Sequence, residues 1–504
     1  MKNLYIKGIL VGLGVVTYAF AEPSLTIYNG GFAVVRDQVE LDLKRGDNRV
    51  TYSNATAHLE PQSVVLRDPS GDWDLSILEQ NYRADPLSQG LLLSLFEGKQ
   101  ITFEKIVGDS IELIEGTVIR SGYQPHFSAY NRYGQSYQAR QQILVHGGGG
   151  SPIIEVDGQL HFRLPGTPIF PSLGDDTILK PTLEWLIDSD RRGKLDAELS
   201  YVTAGMSWLA DYNIIAPEKS DTVDFVGWIT MDNQTGRSFE NARIKLMAGD
   251  VKKVEDPTVY AADAIYELSP FSVRSEAAPV VEKAFDDFHL YTLNRNATLR
   301  DRETKQVEFI RASGVKAKRI YVYDGAYIPM NHYRGWNRES IRQDESFGTQ
   351  SNPKVWIMQE IENTEENGLG IPLPKGKTRF YRQDAEDGQL EFTGENVIDH
   401  TPKKELLRIN TGNAFDIIGD RNRTDYRVDH RAHWIEEAFE ITVTNRKEEA
   451  VTVRVTEHLY RWDNWELLSR SDEYEKVDSD TIVFNVEIPA DGEKTIAYRV
   501  KYTW

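Results

Sequence analysis

The 504-residue chain contains no cysteine. This absence excludes disulfide bonds, catalytic thiolates, thiolate zinc sites and iron–sulfur clusters, because each of them needs cysteine sulfur. Basic residues are also in deficit, since 58 Lys and Arg against 78 Asp and Glu give a formal net charge of −20. Nucleic acids and anionic lipid surfaces are bound largely through neutralisation by Lys and Arg. We therefore expect no nucleic-acid partner and interpret the acidity as a source of solubility.

Long apolar runs are scarce, and the one at the N-terminus is short. Residues 8–20 (GILVGLGVVTYAF) follow Lys2 and Lys7, and small residues stand at positions 19 and 21. This is the pattern of a secretory signal peptide. The run is shorter than the roughly 18–20 residues that a helix needs to span a bilayer. The sequence therefore predicts cleavage before Glu22, export to the periplasm or the cell exterior, and no membrane span after cleavage. An uncleaved N-terminal anchor is the alternative.

Alternation of apolar and polar residues dominates the rest of the chain. Residues 183–187 and 195–201 alternate on either side of a turn at 189–193, which predicts a β-hairpin. Strand candidates also include 406–410 and 415–419. Strands and helices do not alternate regularly along the chain, so a parallel sheet of the α/β kind is not expected. The sequence predicts an all-β fold of stacked antiparallel β-sandwich domains.

Residues 85–168 differ from their surroundings. Asp85 and Pro86 form a plausible helix start and Gly98 a plausible stop, so one short helix is predicted between them. Five β-patterned runs follow, and five short strands are enough for a small β-barrel. The runs are residues 101–107, 111–119, 142–145, 153–156 and 159–164.

The chain is too long for one hydrophobic core, so several domains are expected. The predicted organisation is a signal peptide at 1–21, an N-terminal β-domain at 22–84, the helix with its inserted barrel at 85–168, a β-sandwich at 169–256, a linker at 257–284 and a C-terminal β-sandwich region at 285–504.

Several motifs occur together in a characteristic order. They are LTIYNGGFAVVRDQVELDL at 25–43, ELSYVTAGMSWLADYNI at 198–214, GWITMDNQTGRSFENARIKLMAGDV at 227–251, HLYTLNRNATLRDRETKQVEF at 289–309, ENGLGIPLPKGKTRFYR within 363–402 and FDIIGDRNRTDY at 415–426. With them the chain resembles a family of secreted bacterial proteins, the domain of unknown function numbered four-one-three-nine, related to mucoidy inhibitor A. The resemblance implies a link to exopolysaccharide phenotype, but the family has no assigned activity. The segments 123–140 and 330–348 match no motif of the family, so they are candidates for whatever is particular to this protein.

Clusters of histidine and carboxylate suggest chemistry only weakly. His430 and His433 with Asp425 and Asp429 have ligand types that suit zinc. On an extended chain, residues three apart point to opposite faces, which is poor geometry for one metal. Asp399 and His400 lack the strained nucleophile turn that a serine hydrolase needs. We therefore expect no metal, no cofactor and no catalytic residue.

Aromatic residues in polar surroundings are the better candidates. Aromatic faces stack on sugar rings and anchor protein interfaces. The alternative is that tyrosine and tryptophan on sheets are half-buried core residues. The candidate binding residues are Tyr130, Tyr133, His332, Tyr333, Trp336, Trp462 and Trp465.

These observations predict an extracytoplasmic, non-catalytic binding or scaffold protein of the cell envelope. Its expected partner is a protein or polysaccharide of the envelope, or a second copy of itself. The alternative is a hydrolase acting on envelope polysaccharide, because two carboxylates placed across a sugar cleft would suffice for glycoside cleavage and sequence spacing cannot reveal them. An enzyme would show a concave pocket with convergent titratable groups, whereas a scaffold would show sheet surfaces and exposed aromatic loops.

Overall fold

The structure is a computed structural model that describes residues 22–83, 88–108, 110–123, 151–171, 178–217, 221–249, 251, 253, 280–329 and 333–504. Over these residues strands predominate and only two α-helices occur, which confirms the predicted all-β class. The helices are α1, Gln89–Leu95, and α2, Arg338–Gln343, and short 3-10 turns lie at Pro61–Ser63 and Glu365–Asn367.

The strands are, in chain order, β1 Ser24–Tyr28, β2 Phe32–Leu43, β3 Gly46–Tyr52, β4 Val65–Arg67, β5 Leu75–Arg83, β6 Gln100–Val107, β7 Ser110–Arg120, β8 Ile153–Val156, β9 Gln159–His161, β10 Thr167–Ile169, β11 Thr182–Ser189, β12 Gly193–Ala204, β13 Met206–Pro217, β14 Thr222–Asn233, β15 Phe239–Ala248, β16 Val280–Phe285, β17 Phe288–Leu293, β18 Ala297–Leu299, β19 Glu303–Lys316, β20 Lys318–Asp324, β21 Lys354–Glu362, β22 Gly376–Gln383, β23 Leu390–Ile398, β24 Leu406–Asp429, β25 Trp434–Asn445, β26 Val451–His458, β27 Trp465–Arg470, β28 Glu475–Lys476, β29 Thr481–Ile488 and β30 Gly492–Thr503. β16 begins at Val280, so the predicted linker at 257–284 ends in a strand; residues 257–279 lie outside the described residues.

Two compact units share the chain, and neither is continuous in sequence. The first takes its described residues from Met1–Trp208, Met231–Ala277 and Phe285–Lys305. The second takes them from Leu209–Thr230, Ala278–Ala284 and Gln306–Trp504. The boundaries fall within β13, β14, β16 and β19, so each of these strands contributes to both units.

In unit 1, one large sheet contains β17, β15, β1, β2, β12 and β4 in this order, and β18 pairs with β15. A three-stranded sheet has the order β3-β11-β5. The predicted hairpin at 183–201 is wrong, because β11 pairs with β3 and β5 whereas β12 pairs with β2 and β4. The ribbon of β2 and β12 turns into the ribbon of β3 and β11 at Gly46 and Gly193, whose φ angles are 89° and 146°. The alternation of apolar residues correctly showed which face of each strand is buried. It could not show that the chain bends between β11 and β12, so that the two strands pair with different neighbours.

The inserted sheet of unit 1 has the order β10-β6-β7-β8-β9. Its edges are β10 and β9, so over the described residues the sheet is open and the expected barrel is not closed. The run predicted at 142–145 lies outside the described residues. The predicted helix is present as α1, but Ser88 is its N-cap, with a hydroxyl oxygen that accepts from the Leu91 N–H at 3.2 Å. Asp85, the expected cap, lies outside the described residues. Gly98 follows the helix in the left-handed region, as its stop position requires.

Unit 2 holds a five-stranded sheet, β19-β14-β13-β22-β23, and a nine-stranded sheet, β27-β30-β25-β24-β21-β20-β26-β29-β28. Most strand pairs are antiparallel, as predicted, and three parallel pairs accompany them: β13–β22 and β20–β26 here, and β1–β15 in unit 1. The candidates at 406–410 and 415–419 are one 24-residue strand, β24. Irregular register against β21, where Lys354 faces Ile418 but Trp356 faces Asn413, interrupts the alternation and made one strand resemble two.

A buried ion pair lies at the centre of unit 1. The Arg237 guanidinium donates to both carboxylate oxygens of Asp37 on β2. The same guanidinium contacts the hydroxyls of Tyr52, at 3.0 Å, and Tyr201, at 3.2 Å, and lies over the Phe239 ring. Burial raises the pKa of Tyr201 to about 12, so this hydroxyl stays protonated. The pair therefore joins β2, β3, β12 and the segment before β15 through one charged group.

We expect Asp37→Ala to destabilise unit 1 by roughly 3–5 kcal/mol, because it leaves the Arg237 guanidinium buried without its counter-ion. Denaturant unfolding followed by circular dichroism measures the change. The matched control is Glu40→Ala on the same strand, since Glu40 pairs with Lys194 at the surface, where both side chains are exposed. Little change is expected for the control. Equal effects of the two substitutions would show that the buried pair has no special role.

Candidate binding surface

We call residues 333–348, which contain α2, the segment, and Arg461 holds it in place. Its Nε donates to Glu437 at 2.7 Å. Its two terminal nitrogens donate to four main-chain carbonyls, those of Ile341, Asp344, Glu345 and Phe347. A guanidinium has five N–H groups, so every donor of Arg461 is used. The side chains of Arg461 and Glu437 are almost completely buried. The segment predicted to be an inserted polar loop is therefore held by a buried charge from residue 341 onward.

Two further arginines on β24 hold the same segment. The Arg421 guanidinium makes a bidentate pair with the buried Glu457 on β26 and donates to the Gly348 carbonyl at 2.7 Å. Arg423 donates to Glu437 at 3.1 Å and to the Glu345 carbonyl. The Tyr498 hydroxyl completes the site by donating to Glu457, and burial raises the pKa of Tyr498 well above its ordinary value. Three arginines thus donate to two carboxylates on one side and to five carbonyls of the segment on the other.

Sequence reasoning missed these arginines, although a signal was present. Glu437 and Glu457 occupy strand positions at which β25 and β26 bury their side chains. A carboxylate is rarely fully buried unless it is paired. Arg421 and Arg423 stand two residues apart on β24, a spacing that places side chains on one face of a strand. Charges at core positions of three strands could therefore have predicted a buried network, but not its partners.

The segment brings the two predicted aromatic groups into one region of unit 2. The Arg342 guanidinium on α2 lies 5.0 Å from the Trp462 ring centroid and 4.2 Å from that of Trp504. The Trp504 ring in turn lies 5.9 Å from the ring of His433. Cations over tryptophan faces are attracted by the ring quadrupole. Trp462 is half-buried and follows Arg461 directly, so its position depends on the buried network.

Tyr333 and Trp336 lie at the start of the same segment. The Tyr333 ring makes edge-to-face contacts with Trp336, at 4.9 Å, and with the buried Phe347, at 5.0 Å. The Phe347 carbonyl is one of the acceptors of Arg461. Trp336 is exposed and Tyr333 is half-buried. We call Tyr333, Trp336, Arg342, Trp462 and Trp504 the aromatic surface.

The other candidate residues have different surroundings. Trp465 is half-buried against the core of unit 2, donates from its indole to the Ser479 carbonyl at 2.8 Å and lies under Lys476. Tyr130, Tyr133 and His332 lie outside the described residues.

The histidine clusters have ordinary structural contacts. His430 and His433 lie in a turn, and not on an extended chain as the sequence argument assumed. The Asp429 carboxylate accepts the backbone N–H groups of Arg431 and Ala432, both at 2.9 Å, which lowers the pKa of Asp429. His400 Nδ1 accepts the backbone N–H of Lys375 at 3.1 Å, and Asp399 pairs with the Lys375 ammonium. Within the described part of the chain, no three potential ligands are grouped so as to hold a metal ion.

A cleft of about 330 Å³ lies beside α1 in unit 1. Among the described residues that line it, none is titratable at ordinary pH. The lining residues are Ser88, Gln89, Leu92, Thr167, Pro168 and Phe170.

Fold and site define an all-β protein with an aromatic surface held by buried arginines. Residues 197–504 match the family described as Domain of unknown function (DUF4139). Because the match covers more than half of the 504 residues, the chain belongs to this family, as the motifs predicted. No curated protein and no solved structure matches the chain. The described residues include no helix with the length and apolarity needed to cross a membrane.

We expect Arg461→Lys to release the segment while it keeps the charge beside Glu437. An ammonium has three donors around one point and cannot replace a planar fork that serves five acceptors. Amide hydrogen exchange in residues 338–348 should become roughly tenfold faster or more, because four carbonyls lose their partners.

The matched control for this substitution is Arg454→Lys. Arg454 lies on the same sheet and pairs with Glu360 at 3.0 Å, and it makes no contact with the segment. Exchange in residues 338–348 should be unchanged in that variant. Unchanged exchange in Arg461→Lys would contradict the role assigned to the five donors.

Proposed function

We propose that this protein is an extracytoplasmic, non-catalytic binding protein of the cell envelope and that its aromatic surface binds polysaccharide. The observation that supports the proposal is that one segment, held by buried arginines, carries Trp336 and places Arg342 over the rings of Trp462 and Trp504. Tryptophan offers a large, flat apolar face with a polar edge, and such faces stack on sugar rings. Arg342, which pairs with Glu339, lies over two of these rings and holds them in place.

Rigidity favours this use of the surface. A ligand that orders side chains or a loop on binding loses affinity, at roughly 0.5–1.5 kcal/mol for each immobilised side chain. In the aromatic surface, Arg342 already lies over two rings and Tyr333 already packs between Trp336 and Phe347. Most of that ordering is complete before a ligand arrives. A sugar chain would therefore meet a surface that needs little rearrangement.

The predicted signal peptide supports an extracytoplasmic location. Its n-region, apolar run and small-residue site all lie within residues 1–21. We expect N-terminal sequencing of the exported protein to begin at Glu22. A product that still carries Met1 would contradict cleavage and favour the N-terminal anchor.

We expect Trp336→Ala and Trp462→Ala each to weaken polysaccharide binding by about 2 kcal/mol, or roughly 30-fold. Affinity electrophoresis and pull-down would use isolated peptidoglycan sacculi, a neutral β-glucan and an acidic exopolysaccharide. Trp336 is exposed, so its replacement should leave the melting temperature nearly unchanged, whereas the half-buried Trp462 is expected to contribute to stability as well.

Phe415→Ala is the control for loss of an aromatic ring. Phe415 is 94% exposed, and it lies within β24, roughly 45 Å along the strand from Asp429 at about 3.3 Å per residue. Binding should survive this substitution. Failure of the intact protein to bind any of the three polysaccharides would refute the proposal, and release of reducing sugar would favour the hydrolase.

A further inference from the structure

The inserted five-stranded sheet of unit 1 has one apolar face that the described residues leave uncovered. Five aliphatic side chains on this face are 43–73% exposed. Single exposed apolar residues are common on proteins, but five on one face of one sheet form a patch. They are Ile106, Ile111, Leu113, Leu160 and Ile169. We call this set the outer face. Contiguous exposed apolar patches of this kind mark interaction sites on soluble proteins.

Strand register places these residues on a single face. Ile106 on β6 is directly opposite Ile111 on β7, and Leu113 lies two residues further along β7. Ile169 on β10 is opposite Thr102, which is itself opposite Glu115. Side chains that are directly opposite one another share a face, and so do side chains two residues apart.

Leu160 belongs to the same face through two further pairings. It is opposite Glu155 on β8, and Glu155 is opposite Thr117 on β7. Thr117 shares its face with Ile111 and Leu113, because the three alternate along one strand.

The inner face of this sheet is already filled. Phe103, Val118 and Ile154 are buried there against Leu93 and Phe96 of the α1 region. A sheet with two apolar faces needs a layer on each, and a helix or a second sheet supplies such layers in folded domains. The described residues supply that layer on the inner side only.

The charges of the outer face indicate which partner fits. Glu104 is opposite Leu113, and Glu115 and Glu155 stand on the same face, as the register shows. None of these three carboxylates forms an ion pair within the described part of the chain. The register of the described strands places one basic residue on this face, Arg120, which is opposite Ile153 beyond an irregularity in β7. A partner with an apolar stripe flanked by cations would bury the aliphatic residues and neutralise the glutamates.

We propose that the outer face is a docking site for a basic amphipathic helix of another protein. A helix presents apolar side chains at i, i+3, i+4 and i+7, and lysine or arginine beside that stripe would meet Glu104, Glu115 and Glu155. An anionic membrane fits poorly because the glutamates repel it. A second copy of this chain fits poorly because it presents the same three glutamates to its twin. This surface is independent of the aromatic surface, which lies in unit 2.

Fluorescence anisotropy with synthetic peptides of about 16 residues, long enough for four helical turns, tests the proposal on the full-length protein. The probes are a leucine–lysine amphipathic helix, a scrambled peptide of the same composition and a leucine–glutamate helix. We expect the leucine–lysine helix to bind, the scrambled peptide to bind more weakly and the leucine–glutamate helix to show no binding. Glu104→Gln with Glu115→Gln should weaken binding and reduce its dependence on salt.

Leu113→Lys and Val107→Lys form a matched pair of variants. Each adds one positive charge at an exposed position of the same hairpin, but Val107 is opposite Ser110 and points to the inner side. Leu113→Lys should weaken binding of the leucine–lysine helix at least roughly tenfold, and Val107→Lys should leave it unchanged.

Four results would overturn the proposal. The first is no binding of the leucine–lysine helix, and the second is equal weakening of its binding by both substitutions. The third is dimerisation of the free protein in light scattering that Leu113→Lys abolishes, which would make a second copy the occupant. The fourth is binding to anionic phosphatidylglycerol vesicles that Leu113→Lys abolishes, which would make the occupant a lipid surface.

Discussion

The placement of the aromatic surface depends on one buried guanidinium, that of Arg461. Its five N–H groups donate to one carboxylate and four main-chain carbonyls, so all five donors are used in this arrangement. A buried charge without partners costs several kcal/mol. If residues 341–347 moved away, Arg461 would lose four of its five acceptors at once. Moving the segment would therefore leave a buried charge without acceptors, and this free-energy cost keeps the segment in place. Tyr333, Trp336 and Arg342 are held with it.

Both units use a buried arginine at a point where several strands meet. In unit 1 Arg237 joins Asp37 to two tyrosine hydroxyls, and in unit 2 Arg421 joins Glu457 to Tyr498 and Gly348. The chain has no cysteine, so disulfides cannot fix these positions. Buried ion pairs add little net stability compared with well-packed apolar residues, but their geometry is exacting. Such pairs suit a protein whose strands pass between sheets and need to be aligned at defined points.

The two proposed surfaces have opposite chemistry. The aromatic surface in unit 2 combines flat rings with an Arg342 guanidinium that pairs with Glu339, which suits neutral sugar chains. The outer face in unit 1 combines aliphatic side chains with three unneutralised glutamates, which suits a basic amphipathic helix. Under both proposals the protein would connect a polysaccharide with another envelope protein. Such a connection is the role expected of a scaffold.

Local patterns in the sequence were enough to predict the all-β class, most strand positions, the short helix before Gly98 and the family. Alternation of apolar residues reports which face of a strand is buried, and this information is local. It could not report partners, so β11 and β12 were predicted to form a hairpin although they belong to different sheets. The irregular register opposite Lys354 hid the continuity of β24 for the same reason. Only the tertiary structure showed that the segment carrying Trp336 is held by Arg461, the neighbour of Trp462, because the contacts of Arg461 join residues more than a hundred positions apart in the chain. For the outer face, the sequence determined only that aliphatic residues and glutamates stand in these strands. The pairing of β6, β7, β8, β9 and β10 decided that they share one side.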